Sequence, residues 1–209
     1  MATERASPSV LERLALHRPE LRAWALYDWG NSAFFTTIVA AVFPVYFGAI
    51  SRDALTPQEA TVHFGRITSA ALAAIAVASP LLGAMADHSG ARKRWLAVFL
   101  AVGVGATAGM FWVDKGDWVL GSWLFALANF GAAGTMVFYD ALLPHVARDD
   151  EVDRLSTSAY AIGYLGGGLL LLVQLLVIRN PGWIGADESS TLPVRLALLS
   201  VAVWWLIFA

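Results

Sequence analysis

The sequence predicts an all-α membrane protein with six transmembrane helices, and three observations carry that reading. Of its 209 residues 58% are hydrophobic and only 14% charged, whereas a soluble domain carries about 25% charge. The apolar residues gather into six long segments, most of them near the roughly 20 residues that cross a bilayer as a helix. Between the second and third lies a short charged knot, Gly83-Ala84-Met85-Ala86-Asp87-His88-Ser89-Gly90-Ala91-Arg92-Lys93-Arg94, which reads as a basic hairpin joining two membrane helices. Transmembrane strands would need about 9–11 alternating residues. These segments are longer and apolar on every side, so helices, which satisfy their own backbone groups, are expected.

Residues 1–29 form a cytoplasmic N-terminal segment in this reading. They mix acidic and basic side chains and have no long apolar core, unlike a secretory signal. Ser9 to Arg22 places Val10, Leu14 and Leu21 on one side and Glu12, Arg13, Glu20 and Arg22 elsewhere, which predicts a short interfacial helix with a helix-breaking or helix-starting Pro19 within it. Residues 30–209 form the transmembrane domain, with spans at about 30–50, 66–86, 95–112, 118–138, 159–178 and 194–209. The longest connections, 139–158 and 179–193, are rich in Asp, Glu, Arg, Ser and Pro and are expected in water. Within the first of them Asp149, Asp150, Glu151 and Asp153 read as a solvated face. The sixth span finishes Trp204-Trp205-Leu206-Ile207-Phe208-Ala209 without a polar flank. The expectation is the first half of something longer, the alternative a six-helix protein that pairs with a copy of itself.

Orientation follows from the basic residues. With the N-terminus cytoplasmic, the inner side holds Arg5, Arg13, Arg18, Arg22, Arg92, Lys93, Arg94, Arg148 and Arg154. The outer side holds only Arg52, Arg66, Lys115, Arg179 and Arg195, a bias toward positive-inside. Arg66 and Arg195 begin spans and read as headgroup anchors or as attractors of an anionic group.

Several function classes are excluded. A net charge of −2 and a basic run of three residues offer no nucleic-acid surface. The absence of cysteine removes disulfides, thiolate nucleophiles and cysteine metal sites. The four histidines, at 17, 63, 88 and 145, have no ligand spacing, so neither a metal nor a cofactor is expected. Gly166-Gly167-Gly168 sits in an apolar helix with no following Lys-Ser or Lys-Thr, which argues against a nucleotide loop. No catalytic constellation emerges, and an enzyme is not expected.

The remaining candidates are polar or helix-bending residues inside the spans. Asp28, Asn31 and Ser32 share a helical face. Asn129 lies near the middle of the fourth span, Gln174 lies in the fifth, and Asp140, eleven residues beyond Asn129, extends the stripe toward the cytoplasm. These five, Asn129, Asn31, Gln174, Asp28 and Asp140, are read as a polar solute pathway. The competing reading is interhelical hydrogen bonding, often worth only about 1 kcal/mol. Pro44 and Pro80 each remove a backbone donor inside a span and predict kinks. Gly163, Gly166 and Gly167 form a small-residue ridge that serves either close packing or a hinge. Gly105 with Gly109, and Ala70 with Ala74 and Ala78, read as further packing faces.

The knot resembles the loop motif between the second and third helices of major facilitator superfamily transporters, matching at Gly83, Ala86, Asp87, Gly90 and Arg92. Met85 and His88 replace the usual Leu and basic residue. Tyr27-Asp28-Trp29-Gly30-Asn31-Ser32-Ala33-Phe34 resembles the first helix of a narrower branch, the bacterial relatives of the fungal vacuolar amino-acid effluxers. Tyr139-Asp140-Ala141-Leu142-Leu143-Pro144 and Gly163-Tyr164-Leu165-Gly166-Gly167 agree with it. The resemblance implies twelve helices in two similar halves, of which this chain is the N-terminal one. It implies secondary active transport of a small polar solute by alternating access, with amino acids the first substrate class, in the inner (cytoplasmic) membrane of a bacterium. It also implies a conformational latch at Gly83, Asp87, His88, Gly90 and Arg92, which His88 would make weaker or pH-sensitive. The expected partners are the solute, the bilayer, and the missing C-terminal half or a second copy. The alternative is a six-helix structural or assembly subunit without transport of its own.

Overall fold

Each apolar segment folds as a helix, and the helices run past the apolar windows that announce them. The computed structural model describes residues 9–209, the side chains of residues 85–89 excepted. Ser9 opens a four-residue helix, α1 (Val10–Arg13), through a reciprocal capping box with Glu12. The chain then turns at Ala15, whose φ of 53° is the one positive value outside glycine among the described residues. Pro19, at the first turn of the next helix, starts α2 (Pro19–Ala33). One helix across Ser9–Arg22 is therefore not what forms: the turn and Pro19 divide it.

The first crossing is continuous from Pro19 to Ser51, so it begins eleven residues before the expected start of the span at residue 30. It changes pitch on the way, through a π-helical stretch, Phe34–Ala41, before resuming as α3 (Val42–Ser51). Pro44 lies in the first turn of α3. The widened turns precede the proline, whose ring would otherwise press on the carbonyl four residues back.

α4 (Pro57–Ser89) opens nine residues earlier than expected, through a Thr56–Glu59 capping box, and carries Pro80 without interruption. Gly90, at φ 62°, ends it in the left-handed conformation that favours glycine. α5 (Arg92–Gly109) continues into one 3-10 turn, Met110–Trp112. α6 (Trp118–Val146) and α7 (Val152–Arg179) lengthen the fourth and fifth segments toward each other, leaving a five-residue connection. α8 (Leu192–Phe208) closes the described fold. Five of these helices are long and apolar enough to cross a membrane, and α8 is a shorter apolar helix of the same character.

The core forms where α2, the π-helical stretch and α3 lie against α5, α6 and α8, around Phe34, Phe43, Phe47, Phe125, Met110, Leu198 and Trp205. A second cluster holds Trp24 and Tyr139, whose rings stack at 4.2 Å. Each donates to the other's backbone: Trp24 Nε1 to the Tyr139 carbonyl and Tyr139 Oη to the Trp24 carbonyl, both at 3.2 Å. The helix ends on the opposite side of the bundle are tied by hydrogen bonds. Tyr46 Oη donates to the Val113 carbonyl at 2.7 Å. Arg195 Nη1 meets Asp114 Oδ2 at 3.1 Å while its Nε donates to the Phe111 carbonyl at 2.5 Å. Asp114 is held below the usual carboxylate range by the Lys115 backbone N–H, with Thr191 and Arg195 adding to it. Arg195 thus has an internal partner rather than a headgroup role alone.

Candidate functional site

The π-helical crossing and the glycines of α7 bring a polar stripe to one seam. Asp28, Ser32 and Thr36 follow one another at intervals of four along the first crossing, and α7 lies against them. A β-carbon at Gly163 would stand 2.5 Å from Ser32 Oγ and 2.6 Å from Asp28 Oδ2. At Gly166 it would meet the Trp29 ring at 2.5 Å, and at Gly167 the Thr36 hydroxyl at 2.9 Å. The glycines therefore seat these side chains, while Gly168 faces open space.

Asp28 is half-buried and Asp140 exposed on α6, near enough for their charges to act on each other. Tyr160 and Tyr164, one turn apart on α7, hydrogen-bond through their hydroxyls at 2.8 Å with rings 76° apart. Both are more than half exposed, and the Tyr160 phenol feels the Asp28 charge. Among the described residues no Lys, Arg or His pairs with Asp28 or Asp140. Ionisable groups inside membrane helices are normally paired or line a polar path, which makes these carboxylates and phenols the candidates for such a path.

The three amides lie elsewhere. Gln174 is buried between helices: Thr37 Oγ1 donates to its Oε1 at 2.7 Å, and its Nε2 donates to the Ala197 carbonyl at 3.1 Å and to Ser200 Oγ at 2.9 Å. Asn129 is 5% exposed, and its Nδ2 donates to the Phe125 carbonyl of its own helix at 2.9 Å. Asn31 is 1% exposed with Nδ2 on Met136 Sδ at 3.1 Å. Gln174 and Asn129 make their hydrogen bonds with Thr37, Ala197, Ser200 and Phe125 rather than with Asp28.

At the loop motif, Gly90 supplies the turn and Gly83 faces open space. Arg92 Nη1 lies 3.0 Å from His145 Nε2 at the end of α6. Asp87 and His88 fall in the last turns of α4, with side chains outside the described residues. The Ala70, Ala74 and Ala78 ridge does not pack inward; Ala71 and Ile75 are the buried positions there. In α5 the closely packed glycine is Gly103, while Gly105 faces open space and Gly109 meets Leu124.

One residue departs from its acidic neighbours. Asp149, Asp150 and Asp153 are exposed, but Glu151 is 3% exposed. It accepts from Arg18 Nη2 at 2.5 Å and the Arg148 N–H at 2.9 Å, and lies 3.4 Å from His17 Nε2. Arg18 also donates to the Val146 carbonyl at 3.1 Å. The N-terminal segment is thereby strapped across the α6–α7 connection. No local pattern separates Glu151 from the surrounding acids, because its side-chain partner is 133 residues away.

Comparison with known proteins agrees with this architecture. Residues 67–152 and 149–209, together more than half of the chain, match the family described as "Vacuole effluxer Atg22 like". Over 193 residues the chain is 28% identical to the "Uncharacterized MFS-type transporter YxiO" of Bacillus subtilis (strain 168), covering 89% of this chain and 44% of that protein. A 55-residue stretch is 40% identical to "Autophagy-related protein 22" of Yarrowia lipolytica (strain CLIB 122 / E 150), covering 26% of this chain and 8% of that protein. The chain spans less than half the length of either relative. No solved structure matches it. With six apolar helices, the loop motif between the second and third crossings and this match, the chain belongs to the Atg22-like family of the major facilitator superfamily and is an integral membrane protein.

Proposed function

We propose that the chain acts as the N-terminal half of a secondary active transporter that moves a small polar solute, amino acids first among the candidates, by alternating access. It lies in the inner membrane of a bacterium with its N-terminus cytoplasmic, and residues 30–209 form the membrane domain with the helix before residue 30 projecting inward. The observation that carries the reading is the seam of Asp28, Ser32, Tyr160 and Tyr164 with Asp140 beside it. Two carboxylates stand on membrane helices without a cationic partner among the described residues. An ammonium group, a proton or a basic residue of the second half would complete them.

Asp28 and Asp140 then contact the route, with Tyr160 and Tyr164 as its hydroxyl-bearing wall. Asn31, Asn129 and Gln174 frame it from behind, because their hydrogen bonds lie within the six-helix body. The π-helical stretch before Pro44 is the point where the first crossing flexes, Pro80 serves α4 in the same way, and the glycine ridge lets the Asp28 side chain shift against α7. The loop motif latches the cytoplasmic side, with Asp87 and Arg92 as its charges and His88 making it sensitive to pH.

Uptake and exchange of amino acids by the full-length transporter in proteoliposomes, with and without a proton gradient, test the reading. Solute movement that Asp28→Asn abolishes, with the protein still folded, supports it. Absence of any amino-acid movement, together with stable association with another membrane protein, favours an assembly subunit instead.

A further inference from the structure

We propose that the cavity between α3 and α4, beside the turn that joins them, binds a phospholipid with a zwitterionic, primary-amine headgroup, a phosphatidylethanolamine. Its phosphate sits on Arg52, its ammonium on Asp53, and the start of an acyl chain lies on an apolar floor. The cavity measures about 740 Å³, which is within the range of small-molecule sites. It opens at the end of the first crossing away from the N-terminus, the level at which a spanning helix meets headgroups.

The floor comes from both helices. Pro44, Val45, Phe47 and Gly48 supply it from α3, and Ala60 and Phe64 from α4. The Phe47 and Phe64 rings, 5.8 Å apart, close it toward the core. Gly48 leaves it deep, since a β-carbon there would meet nothing within 4 Å. Val45 leaves it wide, with 75% of its surface exposed. From Pro44 to Arg52 a helix climbs about 12 Å, so an apolar floor and a charged rim lie within the span of a glycerol backbone and the first methylenes of its chain.

The rim carries both signs of charge. Arg52 and Asp53 line it, on a turn in which the Ser51 carbonyl accepts the N–H groups of Ala54 at 2.9 Å and Leu55 at 2.8 Å. Among the described residues no ion pair engages either side chain. Glu59 also lines the cavity, but its Oε2 accepts from the Thr56 N–H at 2.9 Å and the Thr56 hydroxyl at 2.8 Å in the capping box of α4. A simple anion would meet Arg52 and be repelled by Asp53, and a simple cation the reverse. A headgroup with a phosphate and an ammonium a few bonds apart answers both: the guanidinium donates to phosphate oxygens, and the ammonium donates to the carboxylate. A free amino acid carries the same two charges but leaves the apolar floor uncovered, whereas a lipid covers floor and rim together. Basic pockets between membrane helices are recurrent headgroup sites. This site requires only that the chain spans a bilayer, so it stands independently of the transport reading.

Native mass spectrometry of the delipidated full-length transporter tests it, with phosphatidylethanolamine, phosphatidylglycerol and phosphatidylcholine of the same acyl chains as probes. Phosphatidylethanolamine is expected to bind tightest, because phosphatidylglycerol lacks the ammonium and the choline nitrogen has no N–H to donate. Arg52→Gln and Gly48→Leu are each expected to weaken its binding about tenfold, the first by removing the phosphate contact and the second by filling the floor. Asp53→Asn is expected to erase the preference over phosphatidylglycerol. Arg66, an exposed cation on α4 outside this cavity, is the control for general attraction of headgroups, and Arg66→Gln is expected to change nothing. Equal thermal unfolding of the lipid-free variants checks the fold. Equal binding of the three lipids would overturn the proposal, as would binding that survives Arg52→Gln and Gly48→Leu, or a loss in Arg66→Gln as large as that in Arg52→Gln. Absence of bound lipid, with a free amino acid bound instead and lost in Arg52→Gln, would overturn it and give the cavity to a solute.

Discussion

Two helix pairs in this bundle are brought together by glycine, and they differ in what the glycine meets. Between α5 and α6, a β-carbon at Gly131 would collide with the backbone of Gly103, and one at Gly134 with the ring of Phe99. Between α2 and α7, Gly163 faces the ends of the Ser32 and Asp28 side chains, Gly166 the inner ring atoms of Trp29, and Gly167 both the Thr36 side chain and the Ser32 carbonyl. Backbone cannot yield without moving a helix, whereas a side chain can rotate. The α5–α6 seam is therefore rigid at Gly131, and the α2–α7 seam can give at Gly163, whose neighbours can rotate while the helices stay packed. Asp28 lies in the yielding seam, beside Gly163.

Substitution of the glycines is the strongest way to break that comparison. Gly131→Ala and Gly134→Ala are expected to destabilise the protein by about 1–3 kcal/mol or more, the usual cost of overpacking, with Gly105→Ala close to neutral because it faces open space. Thermal unfolding in detergent would rank them. Gly163→Ala is expected to cost less stability than Gly131→Ala while depressing transport more, since it displaces Ser32 and Asp28. An equal stability loss at both seams would erase the distinction.

Gln174 sharpens the comparison on the side of the frame. It ties the π-helical stretch, α7 and α8 through three hydrogen bonds. Gln174→Leu leaves buried partners unpaired and is expected to cost about 2 kcal/mol, with solute affinity unchanged in the folded fraction. Asn129→Ala, which removes one bond to its own helix, is expected to cost about 1 kcal/mol, again without a change in affinity. A lowered affinity with intact stability for either variant would move that residue onto the route.

The N-terminal strap gives a smaller and local effect. Glu151 titrates below its ordinary value of 4.5, first because it accepts the Arg148 backbone N–H, with the Arg18 charge adding to this and burial opposing it. A folded-state value lowered in this way contributes stability that is fully present above the ordinary carboxylate range and is lost as pH falls through the lowered value. Limited proteolysis at residues 9–18 is therefore expected to stay slow at neutral pH and to accelerate below pH 4.5. Glu151→Gln is expected to show the fast rate already at pH 7. Unchanged cleavage would mean that the helices alone hold the segment.

The fold was legible in the apolar segments, and the fifth of them shows where legibility stopped. Hydropathy marks 159–178 because that is where lipid-compatible residues begin and end, but a helix continues as long as its backbone bonds can form, so α7 starts at Val152. Other ends did carry signals: Thr56 with Glu59 three residues on, and Pro19 at a first turn, are helix starts written in the chain. The candidate site was half legible. Asp28 and Asp140 are rare charges on apolar helices and stand out in any reading. Tyr160 and Tyr164 do not, because amphipathic aromatics are common at membrane interfaces. The partners of Gln174 and Glu151 depend on which helices meet, and a single sequence does not encode that in any local pattern.

The central claim is that the Asp28 seam faces an aqueous route while the adjacent apolar face of α7 faces lipid. Because the chain has no cysteine, single cysteines can be read without background. Tyr164→Cys and Leu172→Cys, at positions 58% and 56% exposed, would be placed in the full-length transporter in membranes and treated with a membrane-impermeant maleimide. The account predicts that Tyr164→Cys reacts, and reacts more slowly with transported solute present, while Leu172→Cys stays unlabelled. Equal labelling at both positions, or a Tyr164→Cys that no aqueous reagent reaches, would contradict it.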